Sequence, residues 1–519
     1  MPLPESRRRV RWAAMARLPP APSTVRGHVP AEPPEPRPLE PSGAEMRRLV
    51  SAAMERIVAH HASLPDQPAA DVEGAVETAR ALASPLPREG TPVEELLELL
   101  FERAVPKSFN TAGPGYLAYI PGGGLFASVL ADLIAGAVNR YVGVFAAAPA
   151  LSQLEADAVA WLAEIVGYPT GAGGARGILT SGGSLANFSA VVTARREKLP
   201  EDFLAGTLYA SDQVHHSVTR AAALAGFPAG AVRMVESDRE FRLRPDRLAE
   251  AIAADRRAGR RPFLVVASAG TTNTGAVDPL RVIAELCRRE GLWLHADAAY
   301  GGFFMLTEAG RRAMDGLALA DSVCLDPHKG MFLPYGTGAL LVRDGAALAR
   351  AHHGGAEYLP AVPDDPDLVD FHELSPELSR PFRGLRVWLA LKLHGVEAFR
   401  DALEEKLALA HRLCDGVRAI PGVEVAAAPQ LSLFAFALAP PGRSWAAAAD
   451  DDAEALDRLN LDFLDRVNRR RRVFLTGTRL GGRFVLRACV LHLRTHGDRI
   501  DAALEDLTAA AAEALAAHR

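Results

Sequence analysis

A short apolar run, Ser322–Leu325, stops at Asp326-Pro327 and then presents an imidazole, His328, and a primary amine, Lys329, followed by Gly330. The run reads as a buried strand, and the Asp-Pro pair ends it. An amine at the mouth of a sheet, with apolar sequence on both sides, is expected to be desolvated. Desolvation lowers its pKa and frees the lone pair for a carbonyl carbon. Gly330 lets the backbone pass close to whatever the amine meets. The same pattern also describes a lysine that merely snorkels at a strand end.

Four other strand ends carry groups that would complement such an amine. Thr180-Ser181-Gly182-Gly183-Ser184 lies between a strand and a helix. Its glycines let backbone N–H groups turn inward, and the helix N-terminus adds a positive dipole end. Gly183 and Ser184 could cradle a phosphate, or Ser184 could simply cap the helix. Asp212-Gln213-Val214-His215-His216 follows a second strand. An imidazole here could stack on a heteroaromatic ring, and position favours His215. Ala269-Gly270-Thr271-Thr272 ends a third. The Thr271 hydroxyl could hold a cofactor oxygen or a neighbouring carboxylate, or form the turn itself. Asp297 ends the apolar strand Leu292–Ala296. A buried carboxylate needs a partner. A protonated pyridine nitrogen fits, with Ala299 leaving room for the ring; a strand-end cap is the alternative. Anion cradle, stacking ring, carboxylate and amine together match an aldehyde cofactor with a phosphate handle and a pyridinium ring.

These groups must be positioned by alternating strands and helices. Strands are predicted at Gly177–Thr180, Leu208–Ala210, Val232–Val235, Phe263–Ser268, Leu292–Ala296, Ser322–Leu325 and Ala339–Val342. Helices are predicted at Ser184–Lys198, His216–Ala225, Arg247–Arg257 and Pro279–Glu290. The alternation implies an α/β fold, a mostly parallel sheet with helices on both faces and ligands beyond the strand ends. Lys329 follows Asp297 closely enough for a single excursion to the adjoining strand. A second, smaller α/β unit is expected over 395–519. Its helices are Val396–Ile420, Asp452–Arg469 and Asp498–His518, and its strands Val423–Ala426, Leu433–Leu438, Val473–Thr476 and Phe484–Val490. Residues 1–41 are rich in Pro and Arg and are expected to be disordered. Residues 42–120 form an N-terminal helical segment that opens on a capping box, Ser42 to Glu45, and 121–394 form the large unit.

Composition narrows the function classes. The 519 residues carry 58 basic and 63 acidic side chains, a net charge of −5, which points to neither nucleic acid nor an anionic membrane. No apolar run is long enough to span a bilayer. The four cysteines, Cys287, Cys324, Cys414 and Cys489, have no metal-ligand spacing and read as reduced thiols in a cytoplasmic protein.

The ordered motifs Ser181-Gly182-Gly183-Ser184, Asp212-Gln213-Val214-His215, Gly270-Thr271-Thr272, His295-Ala296-Asp297-Ala298-Ala299-Tyr300-Gly301 and Asp326-Pro327-His328-Lys329 resemble the group II pyridoxal-5′-phosphate-dependent amino-acid decarboxylases, which include the aromatic-L-amino-acid, glutamate and histidine enzymes. Ala147–Glu155, Arg380-Pro381-Phe382-Arg383 and Leu486-Arg487 extend the match over about residues 43–515. The resemblance implies the aspartate-aminotransferase fold (fold type I), pyridoxal 5′-phosphate as cofactor, an amino acid as small-molecule substrate and a homodimer with shared sites. It implies that Lys329 holds the cofactor as an internal aldimine, Asp297 keeps the ring nitrogen protonated and His215 stacks on the ring. Gly183, Ser184 and His328 would hold the phosphate, with Thr271 near the ring or Asp297.

By the same resemblance Tyr358, in Ala356-Glu357-Tyr358-Leu359, falls where decarboxylases place a mobile tyrosine that protonates Cα. Relatives with Phe there form aldehydes oxidatively, so Tyr358 favours decarboxylation to amine and CO2. Aldehyde synthesis, transamination and a non-catalytic cofactor-binding role are the rivals. Three features depart from the family pattern, one being Gly330-Met331-Phe332 after Lys329 where Trp is common. Asp326 stands where several members have Asn, and beside a phosphate it is expected to turn away or bind backbone. Asn139-Arg140-Tyr141 differs from the aromatic-amino-acid enzymes and could bring a cation to the substrate, which leaves an acidic substrate open.

Overall fold

In the computed structural model the described residues are 39–171, 173–354, 368–446 and 450–518. The larger sheet is built from β1 (Arg176–Thr180), β2 (Gly206–Ser211), β3 (Val232–Val235), β4 (Arg261–Ser268), β5 (Trp293–Asp297), β6 (Ser322–Leu325) and β7 (Gly338–Val342), in the order β1-β7-β6-β5-β4-β2-β3. The five strands β3, β2, β4, β5 and β6 are parallel, and β7 runs against β6 and β1. Because β1 and β6 are both antiparallel to β7, their C-terminal ends lie at the same edge as those of β2, β4 and β5. All residues of β2, β5, β6 and β7 are buried, as expected of strands covered by helices on both faces. In β5 and β6, Asp297 pairs in register with Cys324, so the excursion from Asp297 to Lys329 does return to the adjoining strand.

Chain order reverses between β2 and β4, the kind of switch point where open α/β sheets bind ligands. One hydrophobic core surrounds this sheet. A second surrounds an antiparallel sheet of β8 (Val423–Ala427), β9 (Leu433–Leu438), β10 (Thr476–Leu480) and β11 (Arg483–Cys489), in the order β10-β11-β9-β8.

Three elements differ from the sequence reading. Strand β10 starts at Thr476, where Val473–Thr476 had been expected. Phe474 instead pairs with Tyr116, and Gly481-Gly482, both at positive φ, turn β10 into β11. The helix expected from Val396 is the second half of a 35-residue helix, Gly384–Arg418, kinked at Gly395 (φ 72°). A further helix, Ala75–Leu82, lies in the N-terminal segment. Half of the capping box is formed: Glu45 N–H donates to Ser42 Oγ at 3.2 Å at the head of helix Gly43–Ser63, while the Glu45 carboxylate accepts from Arg48.

Candidate active site

The C-terminal ends of β1, β2, β4, β5 and β6 open into one cavity of about 280 Å³. Gly183, Ser184, His215, Thr271, Asp297, Ala299, His328 and Lys329 all line it, together with Asn187, Ser217, Tyr300 and Asp326. Eight of the nine predicted site residues therefore converge. Tyr358, the ninth, lies outside the described residues.

The glycine turn is shaped for close approach. Gly182 has φ 156° and is the N-cap of helix Gly183–Lys198. Ser184 is exposed and makes no capping bond, so the simple N-cap alternative is not what its hydroxyl does. A Cβ on Gly183 would stand 3.2 Å from Asp326 Oδ2 and 3.3 Å from Ala299 Cβ. A side chain there would crowd the cradle.

The carboxylate and the imidazole are set by a relay that the sequence reading missed. Asn187 Nδ2 donates to Asp297 Oδ2 at 2.9 Å and to Ser217 Oγ at 2.9 Å. Its Oδ1 can only accept, so His295 donates to it from Nε2 at 2.9 Å. His295 Nδ1 then accepts from Ser322 Oγ at 2.8 Å, and Ser322 Oγ accepts from Trp293 Nε1 at 2.9 Å. On the other side, Ser217 Oγ meets His215 Nδ1 at 2.7 Å, and Ser217 N–H also donates to that nitrogen at 3.3 Å. His215 Nδ1 is thus an acceptor, and its proton sits on Nε2. Burial holds the His215 pKa below the usual histidine range, with Asp297 pulling weakly the other way, which keeps the ring neutral. Burial likewise brings His295 down to about 4. A signal was present in the sequence: Asn187 is an amide in a helix interior, a placement that normally has a tertiary reason. His216, by contrast, is exposed.

Asp297 accepts a second bond at Oδ1 from Ala299 N–H at 3.2 Å. Thr271 is buried and lines the cavity, but its hydroxyl is spent on the turn, with Thr274 Oγ1 at 2.8 Å and Ala276 N at 3.1 Å. His328 is fixed through Nδ1 on Thr337 O at 2.7 Å.

Asp326 departs from expectation. It neither turns away nor binds backbone; Oδ2 accepts from Lys329 Nζ at 2.8 Å. The Lys329 pKa departs with it. Burial pulls it down, but Asp326, helped by Asp297, outweighs burial and holds the ammonium above the usual lysine range. Arg140 and Tyr141 are exposed and do not line the cavity; Tyr141 donates to Leu378 O at 3.2 Å. Gly122 packs against the backbone of the lysine turn, since a Cβ there would lie 2.9 Å from His328 O, but no residue of the loop after Gly113 lines the cavity. Arg487 is buried close by and donates to Tyr119 O at 2.8 Å, while its Nε has no hydrogen-bond partner.

The residues present fit a ring-bearing aldehyde with a phosphate: a glycine turn with little room for a side chain, an oriented carboxylate, a neutral imidazole and an amine, all around one cavity. Comparison with known proteins agrees. The model of the pyridoxal-dependent decarboxylase conserved domain matches residues 78–439. The chain belongs to this family. It is a pyridoxal-phosphate-dependent carboxy-lyase that releases CO2 from an amino acid. An aromatic-L-amino-acid decarboxylase of Bacillus atrophaeus is 34% identical over 458 residues, 88% of this chain and 93% of that one. The solved structure of Oryza sativa TDC with PLP and tryptamine superposes with TM-score 0.85 at 29% identity, covering 92% of this chain and 99% of the other. A 4-hydroxyphenylacetaldehyde synthase of Rhodiola rosea also superposes, with TM-score 0.81 at 25% identity over 91% and 99%. The decarboxylase fold is thus shared with an aldehyde-forming neighbour. Among the described residues no helix is long and apolar enough to cross a membrane, and no cluster of His, Cys, Asp and Glu suits a metal ion. All four cysteines are buried and free.

Proposed function

We propose that this decarboxylase acts on an aromatic L-amino acid, with Lys329 as the cofactor's covalent anchor. The observation that carries the assignment of roles is the relay through Asn187, which orients a carboxylate and a neutral imidazole around one cavity with the amine. Bound pyridoxal phosphate supplies the sink for the electron pair left at Cα when CO2 departs. Asp297 holds a proton at the ring nitrogen and so sustains that sink. His215 presents its ring to the cofactor's face. Gly183 and Ser184 offer N–H groups and a hydroxyl to the phosphate, with His328 beside them. Tyr358, assigned from sequence alone, returns a proton to Cα. The aromatic preference is supported by the Bacillus atrophaeus and Oryza sativa relatives.

The test is a panel of proteinogenic amino acids with amine and CO2 detected together. Amines from Trp, Tyr or Phe are expected; amine from acidic substrates alone would overturn the aromatic assignment. The Rhodiola rosea neighbour gives the aldehyde reading a specific footing. Tyr358→Phe is expected to cut amine formation and divert carbon to aldehyde, ammonia and peroxide, and unchanged amine output would remove Tyr358 from the mechanism.

The chain also acts as a cytoplasmic homodimer in this proposal. Helix Phe126–Val138 exposes Phe126, Leu130, Leu133, Ile134 and Val138 along one side, and helix Gly43–Ser63 has no buried residue. Such an apolar row supports a second copy as its cover. Light scattering should give twice the chain mass of 55.3 kDa; a fully active monomer would contradict the dimer.

A further inference from the structure

Asp326 faces two ways. Its side chain is 3% exposed, with Oδ2 2.8 Å from Lys329 Nζ, and a Cβ on Gly183 would come within 3.2 Å of the same oxygen. One buried carboxylate therefore abuts both the amine and the glycine turn. His328 Nε2 stands 3.7 Å from it, and Oδ1 has no hydrogen-bond partner. A carboxylate so placed is costly unless a cation answers it. Among the described residues the Lys329 ammonium is the ion-pair partner in hydrogen-bond contact.

We propose that Asp326 is the counter-ion of Lys329, a positioning residue that holds the amine as an ammonium beside Oδ2 in the cofactor-free protein and so governs when it can take up the cofactor's aldehyde. This rests on Lys329 as the anchor. An ammonium has no lone pair. It must release one proton to solvent before the nitrogen can attack the carbonyl carbon. The C–N bond then forms, the C=O bond breaks, and the oxygen leaves as water with the two remaining amine hydrogens.

Other titratable groups also face the amine: Asp297 and Cys324 from β5 and β6, His215 from the loop after β2, His328 on its own turn, and Tyr335 and Cys489. Burial keeps His215 and His328 below the usual histidine range and Cys489 up at about 12. Those two imidazoles and that thiol are therefore neutral near pH 7, and Asp326 is the carboxylate in hydrogen-bond contact with the amine. Asp326→Asn keeps the shape and removes that charge, after which burial is opposed chiefly by Asp297, the smaller of the two carboxylate contributions.

Cofactor-free wild type, Asp326→Asn and Lys329→Ala are each mixed with pyridoxal phosphate, and the appearance of bound-cofactor absorbance is followed by stopped flow across pH. The wild-type rate should climb with pH into the alkaline range. The Asp326→Asn profile should shift to acid by about one pH unit or more, which at neutral pH is about tenfold faster capture. Coincident profiles, or a shift toward alkaline pH, would overturn the counter-ion. Should Asp326→Asn fail to fold by circular dichroism, the wild type still decides, because a rate level with pH from neutral upward would overturn it too. Lys329→Ala separates the two claims. The same absorbance in that variant removes the anchor and this proposal with it. Its loss, alongside coincident profiles for the other two, removes the counter-ion alone.

Discussion

The Asn187 side-chain amide lies 2.9 Å from Asp297 Oδ2, and through Ser217 it also reaches His215. One amide thereby fixes the two groups that would flank the cofactor ring. It is 1% exposed, so nothing from solvent can replace it.

Asn187→Ala should leave Asp297 Oδ2 and the His295 Nε2–H without partners, at a cost of about 1–3 kcal/mol. Cofactor affinity should fall by about 10- to 100-fold, as when groups that orient site ligands are lost. Asn187→Asp should be worse, since it sets a second carboxylate against Asp297. Equilibrium titration with pyridoxal phosphate measures both. Wild-type affinity in Asn187→Ala would show that the relay orients nothing.

Acid should strip stability through His295. Burial depresses its folded-state value to about 4, while an unfolded histidine titrates near 6.5. The unfolded chain therefore binds the proton first as pH falls. Stability is intact above about pH 6.5, declines as pH falls toward 4 and loses about 3 kcal/mol from this one group. His492, brought to about 3 by burial, acts in the same direction. Thermal midpoints between neutral and acid pH check this. A flat profile would mean that His295 is already charged in the fold or is hydrated.

Glu155 and Arg380 form an ion pair with side chains 0% and 2% exposed. Glu155 also accepts from Gly384 N–H at 3.2 Å, and the Arg380 guanidinium lies 4.6 Å over the Phe371 ring. The pair ties helix Pro149–Ile165 to the start of helix Gly384–Arg418. Glu155→Ala strands a buried cation and should cost about 3–5 kcal/mol by chemical denaturation. Replacing both partners with apolar residues of similar volume should recover most of that loss. A single variant as stable as wild type would show the pair to be hydrated.

The larger sheet was legible because most of its strands are apolar runs ended within a residue or two by Gly, Pro or Asp, and because its active edge collects strand ends. Lys329, Asp297, His215 and the Gly182–Ser184 turn all followed from that rule. Asn187, Ser217 and His295 were not assigned roles, since their relay is assembled from two helices and a strand far apart in sequence. Asp326 was misjudged for a local reason: its expected conflict with a phosphate was weighed, but not the amine three residues on, one helical turn away. Strand β10 was misplaced because Thr476–Leu480 contains Gly477 and little apolar alternation, while Val473 and Leu475, which look more like a strand, pack in the core without joining the ladder.

The central claim is that one amine, Lys329, captures the cofactor. Borohydride reduction of the holoenzyme, followed by peptide mapping by mass spectrometry, tests it most directly. The account predicts a phosphopyridoxyl group on the peptide carrying Lys329, and none in Lys329→Ala. Modification of a different lysine, or no modification of a protein that still releases CO2, would contradict it.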